Sequence, residues 1–337
     1  MNQVVLNKPG DFTLSKVSDP ARKPDEVLVR VQRIGICGTD IHAFHGRQAF
    51  FNYPRVLGHE LAVEVLEVPA GCESLHPGDR CSVEPYLNCG QCQSCRNGKT
   101  NCCEKLQVLG VHTDGGMQTL LSLPVRKLHK GNQLSLDQLA LVETLGIGAH
   151  GIERADVKAG DYVLIIGAGP IGVSALIFAL ARGARVAVMD VSEHRLAFCR
   201  RQFGGAATVN ALGGDIAAKL REIGGGELPL AVVDATGNQA SMQGCFDFVA
   251  HGGCVVYVGL YAGAITFDDP NFHRRELTLY ASRNSLPSKF EEIIALIASG
   301  KIVTTPWITR RLALEDVPSK FSEVTADPLL LKAMIEV

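Results

Sequence analysis

The chain has 337 residues, of which 46% are hydrophobic and 20% charged, and these values predict a globular protein of about two domains. A formal net charge of −2 argues against binding to nucleic acid or an anionic membrane, and no run of about 18 apolar residues predicts a membrane-spanning helix. The N-terminal segment lacks the pattern of a signal peptide, so we expect a cytoplasmic protein. In a reducing compartment, its eleven cysteines indicate metal sites rather than disulfides.

The N-terminal part, up to about residue 150, is predicted to be a β-rich domain. Residues 27–31 and 61–68 are rich in β-branched and apolar side chains, which favour strands. Pairs such as Pro9-Gly10 and Pro77-Gly78 indicate turns between them. No long helical period occurs before about residue 137.

Two motifs within residues 35–60 combine metal-binding side chains. They supply a thiolate, an imidazole and a carboxylate, from Cys37, His59 and Glu60. A catalytic zinc takes such ligands and keeps one position open for water or substrate. Thr39 and His42 could carry a proton away from a metal-bound alcohol. Taken alone, the stretch is equally compatible with a buried cysteine and two unrelated histidines.

A second metal site is predicted from four closely spaced cysteines. These are Cys89, Cys92, Cys95 and Cys103. Four thiolates on a short polar loop are typical of a closed tetrahedral zinc site that organises the loop. Cys102 is an alternative fourth ligand, and free or disulfide-bonded cysteines are the alternative to a metal site.

A nucleotide-binding loop is predicted after residue 160. The apolar run 162–166 reads as a strand buried on both faces, and an apolar helix follows to about residue 182. Between them lies a glycine-rich loop formed by Gly167, Gly169, Pro170, Ile171 and Gly172. A strand before and a helix after support a dinucleotide site, because the glycines let a pyrophosphate approach the helix N-terminus.

The next strand, 185–189, ends at Asp190. Its spacing from the glycine loop is close to that at which an acidic residue binds an adenosine ribose. A carboxylate there accepts from the 2′-hydroxyl and repels a 2′-phosphate, which favours NAD over NADP. Arg195 could partly weaken this preference. The alternative is that Asp190 simply caps the next helix.

Strands and helices alternate through the rest of this region. Predicted strands lie at 230–234, 254–258 and 276–280, and predicted helices at 192–203, 215–222 and 239–248. The alternation predicts an α/β fold with a doubly wound parallel sheet. Such sheets bind ligands at the carboxyl ends of their strands, so Thr236, Val258 and Gly259 are expected beside the nicotinamide half. Ordinary strand-to-helix turns are the alternative for these three.

These motifs, in this order along nearly the whole chain, resemble those of the zinc-containing medium-chain dehydrogenases. The resemblance implies a GroES-like catalytic domain at 1–148 and 286–337, interrupted by a Rossmann NAD-binding domain at 149–285. The tail, with a helix at 290–298, is expected to fold back on the first domain. The family also implies two zinc ions per chain, one catalytic and one structural, and self-association as dimers or tetramers.

Within that family, the chain is similar to the polyol and sugar-acid branch. Simple alcohol dehydrogenases have a cysteine ligand in the segment matching 141–146, whereas this chain has Glu143 there. The resemblance leaves open whether Glu143 or Glu60 binds zinc directly, and a surface carboxylate is the alternative for Glu143. Thr144 stands where the branch usually has proline, which leaves the local turn open. Four segments are similar to those of bacterial L-galactonate dehydrogenases: 53–57, 101–105, 108–112 and 282–284.

The predicted function is therefore hydride transfer between NAD and a secondary hydroxyl of a sugar acid or polyol. Arg283 is a candidate for binding a substrate carboxylate, with a surface salt bridge as the alternative. His112 and Phe50 are further candidates for substrate contact, although core packing suits Phe50 equally. The alternatives are an L-threonine or simple secondary-alcohol dehydrogenase, and a catalytically silent nucleotide-binding relative.

Overall fold

The structure, a computed structural model, describes residues 1–48 and 51–337. They form two compact units, one composed of Met1–Glu143 and Leu286–Val337 and the other of Thr144–Ser285. The first unit is therefore discontinuous in sequence. Its boundary with the second unit lies inside a helix, after Glu143 rather than after residue 148. No helix in the described ranges combines the length and apolar character needed to span a membrane.

The part of the first unit that precedes the second is mainly β-structure. Its strands are β1 (Asn2–Lys8), β2 (Asp11–Lys16), β3 (Glu26–Gly35), β4 (Glu60–Glu67), β5 (Arg80–Val83), β6 (Tyr86–Leu87), β7 (Gln107–Val108), β8 (Leu120–Pro124) and β9 (Leu128–Lys130). Its helices are α1 (Gly38–Phe44), α2 (Gln93–Arg96) and α3 (Leu136–Arg154), the last of which continues into the second unit. Short 3-10 turns lie at Thr100–Cys102 and Val125–Lys127.

The second unit alternates strands and helices. Its strands are β10 (Tyr162–Ile166), β11 (Arg185–Asp190), β12 (Ala206–Asn210), β13 (Ala231–Asp234), β14 (Cys254–Tyr257) and β15 (Thr278–Ala281). Its remaining helices are α4 (Pro170–Ala181), α5 (Glu193–Gln202), α6 (Ile216–Gly224), α7 (Gln239–Phe248) and α8 (Asp269–Arg274).

The chain then returns to the first unit. This last segment contains α9 (Pro287–Ala298), β16 (Ile308–Ala313), α10 (Val317–Ala326) and β17 (Lys332–Glu336), with 3-10 turns at Thr305–Trp307 and Leu314–Asp316. Leu286–Val337 groups with Met1–Glu143 in the first unit, and the helix α10 in this segment was not predicted.

A seven-stranded sheet organises the first unit. Its order is β16-β17-β3-β4-β5-β9, and β8 pairs with β3 as well. Buried and more accessible residues alternate along much of β3, so one face packs on an apolar core that includes Val27, Val29 and Val31. The late strand β17 pairs with β16 on one side and with the early strand β3 on the other.

The second unit contains a six-stranded, fully parallel sheet. Its order is β12-β11-β10-β13-β14-β15, which is the strand order of dinucleotide-binding sheets, with the switch point between β10 and β13. Every residue of β10 is buried, as a central strand covered on both faces requires. The predicted doubly wound α/β fold is confirmed. The sequence prediction missed β12 and α8.

Candidate metal sites and nucleotide-binding loop

Strand pairing assembles the first candidate metal site. Cys37 follows β3 and is the N-cap of α1, while His59 and Glu60 lie at the start of β4. The antiparallel register places Gly35 opposite Glu60, so the ends of both strands meet. The ligand atoms of Cys37, His59 and Glu60 all lie within 4.8 Å of one another. Gly58 adopts a φ of +93°, which lets the backbone turn into His59.

The charges around His59 favour a cation. Its side chain is buried; burial lowers its pKa, but the Cys37 thiolate and the Asp40 carboxylate outweigh this effect and raise the pKa well above its usual value. Asp40 lies with one oxygen 3.8 Å from His59 Nδ1 and accepts a hydrogen bond from Cys37 N at 2.8 Å with the other. Asp40 therefore both faces His59 and closes the first turn of α1.

Lys332, at the start of β17, was not predicted from sequence but completes this site. Its Nζ donates to Glu60 Oε1 and to Ile36 O, the latter at 3.1 Å, and also contacts Glu60 Oε2. Burial opposes its charge, yet Glu60 and Cys37 raise its pKa above the usual lysine value. A single lysine within the apolar sequence 330–335 is the signal that could have indicated a buried partner.

Glu143 lies beside this cluster rather than in it. It is buried on α3, and its Oε1 accepts a hydrogen bond from the Tyr86 hydroxyl, a second contact that sequence did not suggest. Burial raises its pKa, although the neighbouring His59 charge acts in the opposite direction. Thr144, the residue at the position where the resemblance leads us to expect proline, lies inside α3, and the helix continues through it without a turn.

The donor set of this cluster fits zinc. A thiolate, an imidazole and a carboxylate converge, which leaves a fourth position for water or substrate. Within the part of the chain that the structure describes, the buried Glu60 carboxylate contacts only one ammonium group, that of Lys332, and a carboxylate has more lone pairs than one ammonium uses, so it can also bind a cation.

Thr39 and His42 lie on α1, directly after Cys37. Thr39 is half-buried and His42 is exposed, so the pair extends from the cluster side of the helix towards solvent. Partial burial lowers the pKa of His42, and the charges of Arg47 and His45 act in the same direction. His42 is therefore neutral at pH 7 and able to accept a proton.

The four predicted structural ligands form a second cluster. The sulfur atoms of Cys89, Cys92, Cys95 and Cys103 lie within 4.8 Å of one another, whereas Cys102 is exposed outside this group. Backbone N–H groups of Gln91 and Cys92 point at Cys89 Sγ and lower the pKa of that thiol to about 6. The Cys89 thiolate held this way suits a closed zinc site, whereas burial raises the pKa of the Cys103 thiol to about 11.

The glycine-rich loop follows β10, as predicted. Gly167 has a φ of +96°, and a Cβ on Gly172 would overlap the Gly167 carbonyl oxygen, so α4 packs directly on the loop. Gly169 is the N-cap of α4, and Pro170 and Ile171 begin its first turn.

Asp190 ends β11 and contacts this loop. Its carboxylate accepts hydrogen bonds from Ala168 N at 2.6 Å and from Ser192 N at 2.7 Å. The cap of α5 is Ser192, whose hydroxyl accepts from Arg195 N, so Asp190 is not the helix cap. The Arg195 guanidinium points towards Gly169.

The turns after β13 and β14 lie side by side at the carboxyl edge of the sheet. The Thr236 backbone N–H and hydroxyl both donate to Asp234, at 2.9 Å and 2.8 Å. Val258 N donates to the Asp234 carbonyl oxygen at 2.9 Å, and a Cβ on Gly259 would overlap Gly237 N. These residues form a close-packed edge of the kind that lets a flat ligand approach the backbone.

The substrate candidates lie in different parts of the chain. Arg283 is exposed just after β15, in the second unit. His112 is exposed in the first unit, and its Nδ1 accepts a hydrogen bond from Val108 N at 3.1 Å. Phe50 lies outside the described residues.

Two family models match the chain. Residues 23–133 match the alcohol dehydrogenase GroES-like domain and residues 170–299 match the zinc-binding dehydrogenase domain. The chain belongs to the zinc-dependent medium-chain alcohol dehydrogenase family. The predicted family and the GroES-like and Rossmann fold class are therefore confirmed.

Individual relatives cover almost the full length. The chain is 38% identical over 336 residues to L-galactonate-5-dehydrogenase from Escherichia coli (strain K12), covering 99% of this chain and 98% of that protein. A putative zinc-binding dehydrogenase from Sinorhizobium meliloti 1021, bound to NADP, matches with a TM-score of 0.92 at 28% identity and covers 100% and 99% of the two chains. A protein described as a short chain alcohol dehydrogenase from E. coli CFT073, complexed with NADH, matches with a TM-score of 0.93 at 27% identity, with the same coverage.

Proposed function

We propose that this protein is a zinc- and NAD-dependent dehydrogenase that oxidises a secondary hydroxyl of a sugar acid. The cluster of Cys37, His59 and Glu60 carries the proposal, because its three candidate ligand atoms lie within 4.8 Å of one another and match the ligand types of catalytic zinc sites, which keep a fourth position for substrate. Similarity to an L-galactonate-5-dehydrogenase along nearly the whole chain supports an aldonate of that kind as substrate.

The side chains on α1 have roles that suit this reaction. Cys37, His59 and Glu60 would hold a zinc ion, which would supply a Lewis acid for the substrate hydroxyl, and the glycine-rich loop would hold NAD, which would supply a hydride acceptor. Thr39 passes that proton outward from the half-buried end of the relay, and the neutral imidazole of His42 receives it at the exposed end. The Asp40 carboxylate lies 3.8 Å from His59 Nδ1, too far for a hydrogen bond, and its charge favours a cation at the site.

The position of Asp190 supports NAD as the cofactor. Its carboxylate is fixed by the backbone of the glycine loop and of the next turn, at the end of the strand where an adenosine ribose is bound in such sheets. A fixed negative charge disfavours a 2′-phosphate, although a similar protein has been crystallised with NADP. We therefore expect NAD to give the higher kcat/KM.

The test is a substrate screen with both cofactors, followed by absorbance of the reduced nicotinamide. L-galactonate and other aldonates should be oxidised faster than alditols, L-threonine or simple secondary alcohols, and His59→Ala should abolish turnover. A preference for L-threonine or simple alcohols would refute the sugar-acid assignment. Normal turnover by His59→Ala after zinc removal would refute the metal mechanism.

Arg283 is proposed to bind the substrate carboxylate, because a guanidinium can bind both oxygens at once. Arg283→Ala should raise KM for aldonates by about tenfold or more while leaving alditols little changed, a difference of at least about 1.4 kcal/mol. Arg201→Ala, at another exposed arginine of the same unit, is the control. Equal effects of Arg283→Ala on both substrate classes would contradict this role.

Self-association and a cytoplasmic location complete the proposal. Strand β15 lies at one edge of the six-stranded sheet, and among residues 1–48 and 51–337 it pairs only with β14. Most of its residues are exposed, including Leu279. An open edge of this kind is a site for pairing with a second copy. Light scattering should show a dimer or tetramer that Leu279→Asp weakens and Leu212→Asp, at another exposed leucine, does not.

A further inference from the structure

The candidate catalytic site contains a buried lysine, Lys332, in contact with one of the candidate ligands. Lys332 is 2% exposed, and its ammonium group faces Glu60 and the Ile36 carbonyl oxygen. These contacts satisfy it without any metal, since the described residues alone supply its acceptors. Lys332 also lies within electrostatic range of Cys37 and Glu143, so it is the counter-charge for several acidic groups at once.

The space around Glu60 is built for this contact. Gly35 lies opposite Glu60 in the β3–β4 register, and a Cβ there would overlap Glu60 Oε2. The carboxylate therefore occupies the volume that a side chain at position 35 would fill. There it contacts Lys332 on β17, the strand on the other side of β3. Two independent features therefore hold the Glu60 carboxylate in place: the absence of a Cβ at Gly35 and the buried ammonium group of Lys332.

We propose that Lys332 is a positioning residue that replaces the charge of the metal while the site is empty. A buried carboxylate without a counter-charge strongly destabilises a fold, so Glu60 needs a cation whether or not metal is present. The ammonium supplies it in the metal-free chain and keeps the ligand set assembled. Once a dication binds, Lys332 repels it at short range, so the lysine stabilises the empty site more than the loaded one. This inference rests on the proposed zinc site.

The test compares thermal unfolding of the full-length chain in two states, loaded with zinc and stripped with a chelator. In the stripped state, Lys332→Met should lower the unfolding midpoint by about 10 °C, and in the loaded state by less than half as much. Lys332→Arg, which keeps the charge, should resemble the wild type in both states. The double variant Glu60→Gln/Lys332→Met removes both charges and should regain most of the loss in the stripped state.

Lys130→Met is the control. Lys130 lies on β9 of the same unit and pairs with Asp79 at 2.9 Å, and neither residue is a candidate zinc ligand. Its removal should change the midpoint by the same amount in both states, because its partner is not a zinc ligand. Loss of metal from the four-cysteine site is common to all variants in the stripped state, so it cancels from the comparison.

Two results would overturn the inference. One is an equal loss for Lys332→Met with and without zinc, which is what a purely structural ion pair gives. The other is no loss in the stripped state. If Lys332→Met does not fold in the absence of zinc while the double variant does, the inference is supported. A wild-type chain that binds only about one zinc, at the four cysteines, would instead refute the proposed catalytic site itself.

Discussion

At the scale of single residues, the candidate zinc ligands are held by neighbours that are not ligands themselves. Gly35 shows this most directly, because the carboxylate of Glu60 occupies the space of its missing Cβ. Gly35→Ala should displace that carboxylate and reduce zinc content from about two ions per chain to about one, measured by metal analysis after dialysis. Gly38→Ala is the control, since a Cβ at Gly38 meets nothing within 4 Å. Retention of both metals by Gly35→Ala would contradict this reading.

Tyr86 provides a second test at this scale. Its hydroxyl donates to the buried carboxylate of Glu143, whereas the hydroxyl of Tyr162 donates to the neutral carbonyl oxygen of Leu220 at 3.0 Å. Tyr86→Phe should cost about 2–3 kcal/mol of unfolding free energy and Tyr162→Phe about 1 kcal/mol, because a buried charged acceptor loses more than a neutral one. Urea unfolding measures both. Equal costs would show that Glu143 does not depend on Tyr86.

The sequence predicted those site residues that belong to short motifs, and it missed those whose partners are distant along the chain. Cys37, His59 and Glu60 stand out because short motifs surround each of them. Lys332 does not, because its partner Glu60 lies 272 positions away and only strand pairing brings them together. Tyr86 was missed for the same reason, since 57 positions separate it from Glu143. The preference for Glu60 over Glu143 in the ligand cluster likewise depends on packing that no motif records.

At the scale of elements, the loop between β10 and α4 packs so closely on the first turn of α4 that part of it has no room for side chains. A Cβ on Gly172 would overlap the Gly167 carbonyl oxygen. Among the described residues, a Cβ on Gly169 would meet only the Arg195 guanidinium within 4 Å, at an ordinary contact distance of 3.8 Å. Gly172→Ala should therefore lower the unfolding midpoint of the cofactor-free chain by several degrees, and Gly169→Ala should leave it nearly unchanged. Calorimetry distinguishes them, and a stable Gly172→Ala chain would contradict the observed loop geometry.

Element prediction succeeded where patterns were strong. The run that forms β10 and the glycine loop after it were predicted at nearly the observed bounds, because a continuous apolar strand beside glycines has few alternatives. β12 was missed because its sequence, Ala-Ala-Thr-Val-Asn, is short and only partly apolar. α8 has no buried residue and α10 has only two, so neither shows a clear helical stripe.

At the scale of the whole molecule, the discontinuous first unit is joined across the interruption by charge as well as by strands. Asp137 on α3 lies 3.2 Å from Arg33 on β3 and also pairs with Arg311 on β16. Burial raises the pKa of Asp137, but its hydrogen bonds and ion pairs with the two arginines outweigh that effect and lower the pKa below its usual value. The Asp137 carboxyl group therefore binds its proton less tightly in the folded chain than in the unfolded chain.

The sign of the pH dependence follows from that lowered pKa. The pairing of Asp137 with the two arginines stabilises the folded chain fully above the unfolded pKa of Asp137, which is about 4. This stabilisation is lost as the pH falls through the lower pKa of the folded chain. Asp137→Asn should cost about 1 kcal/mol at pH 7, because the pair is partly solvent-screened, and this cost should shrink as the pH falls below about 4. Urea unfolding from pH 7 down to about pH 2 tests this, and a cost that stays constant below about pH 4 would refute it.

The position of β17 has a consequence for biosynthesis. Strand β3 needs β17 as its neighbour, yet all of Thr144–Ser285 is translated between them. A nascent chain on the ribosome can therefore complete the parallel sheet while the earlier β-domain still has an open edge, and that edge closes only when residues 332–336 emerge. A messenger truncated shortly before this point would yield a chain with an intact Rossmann sheet and a catalytic half prone to aggregation.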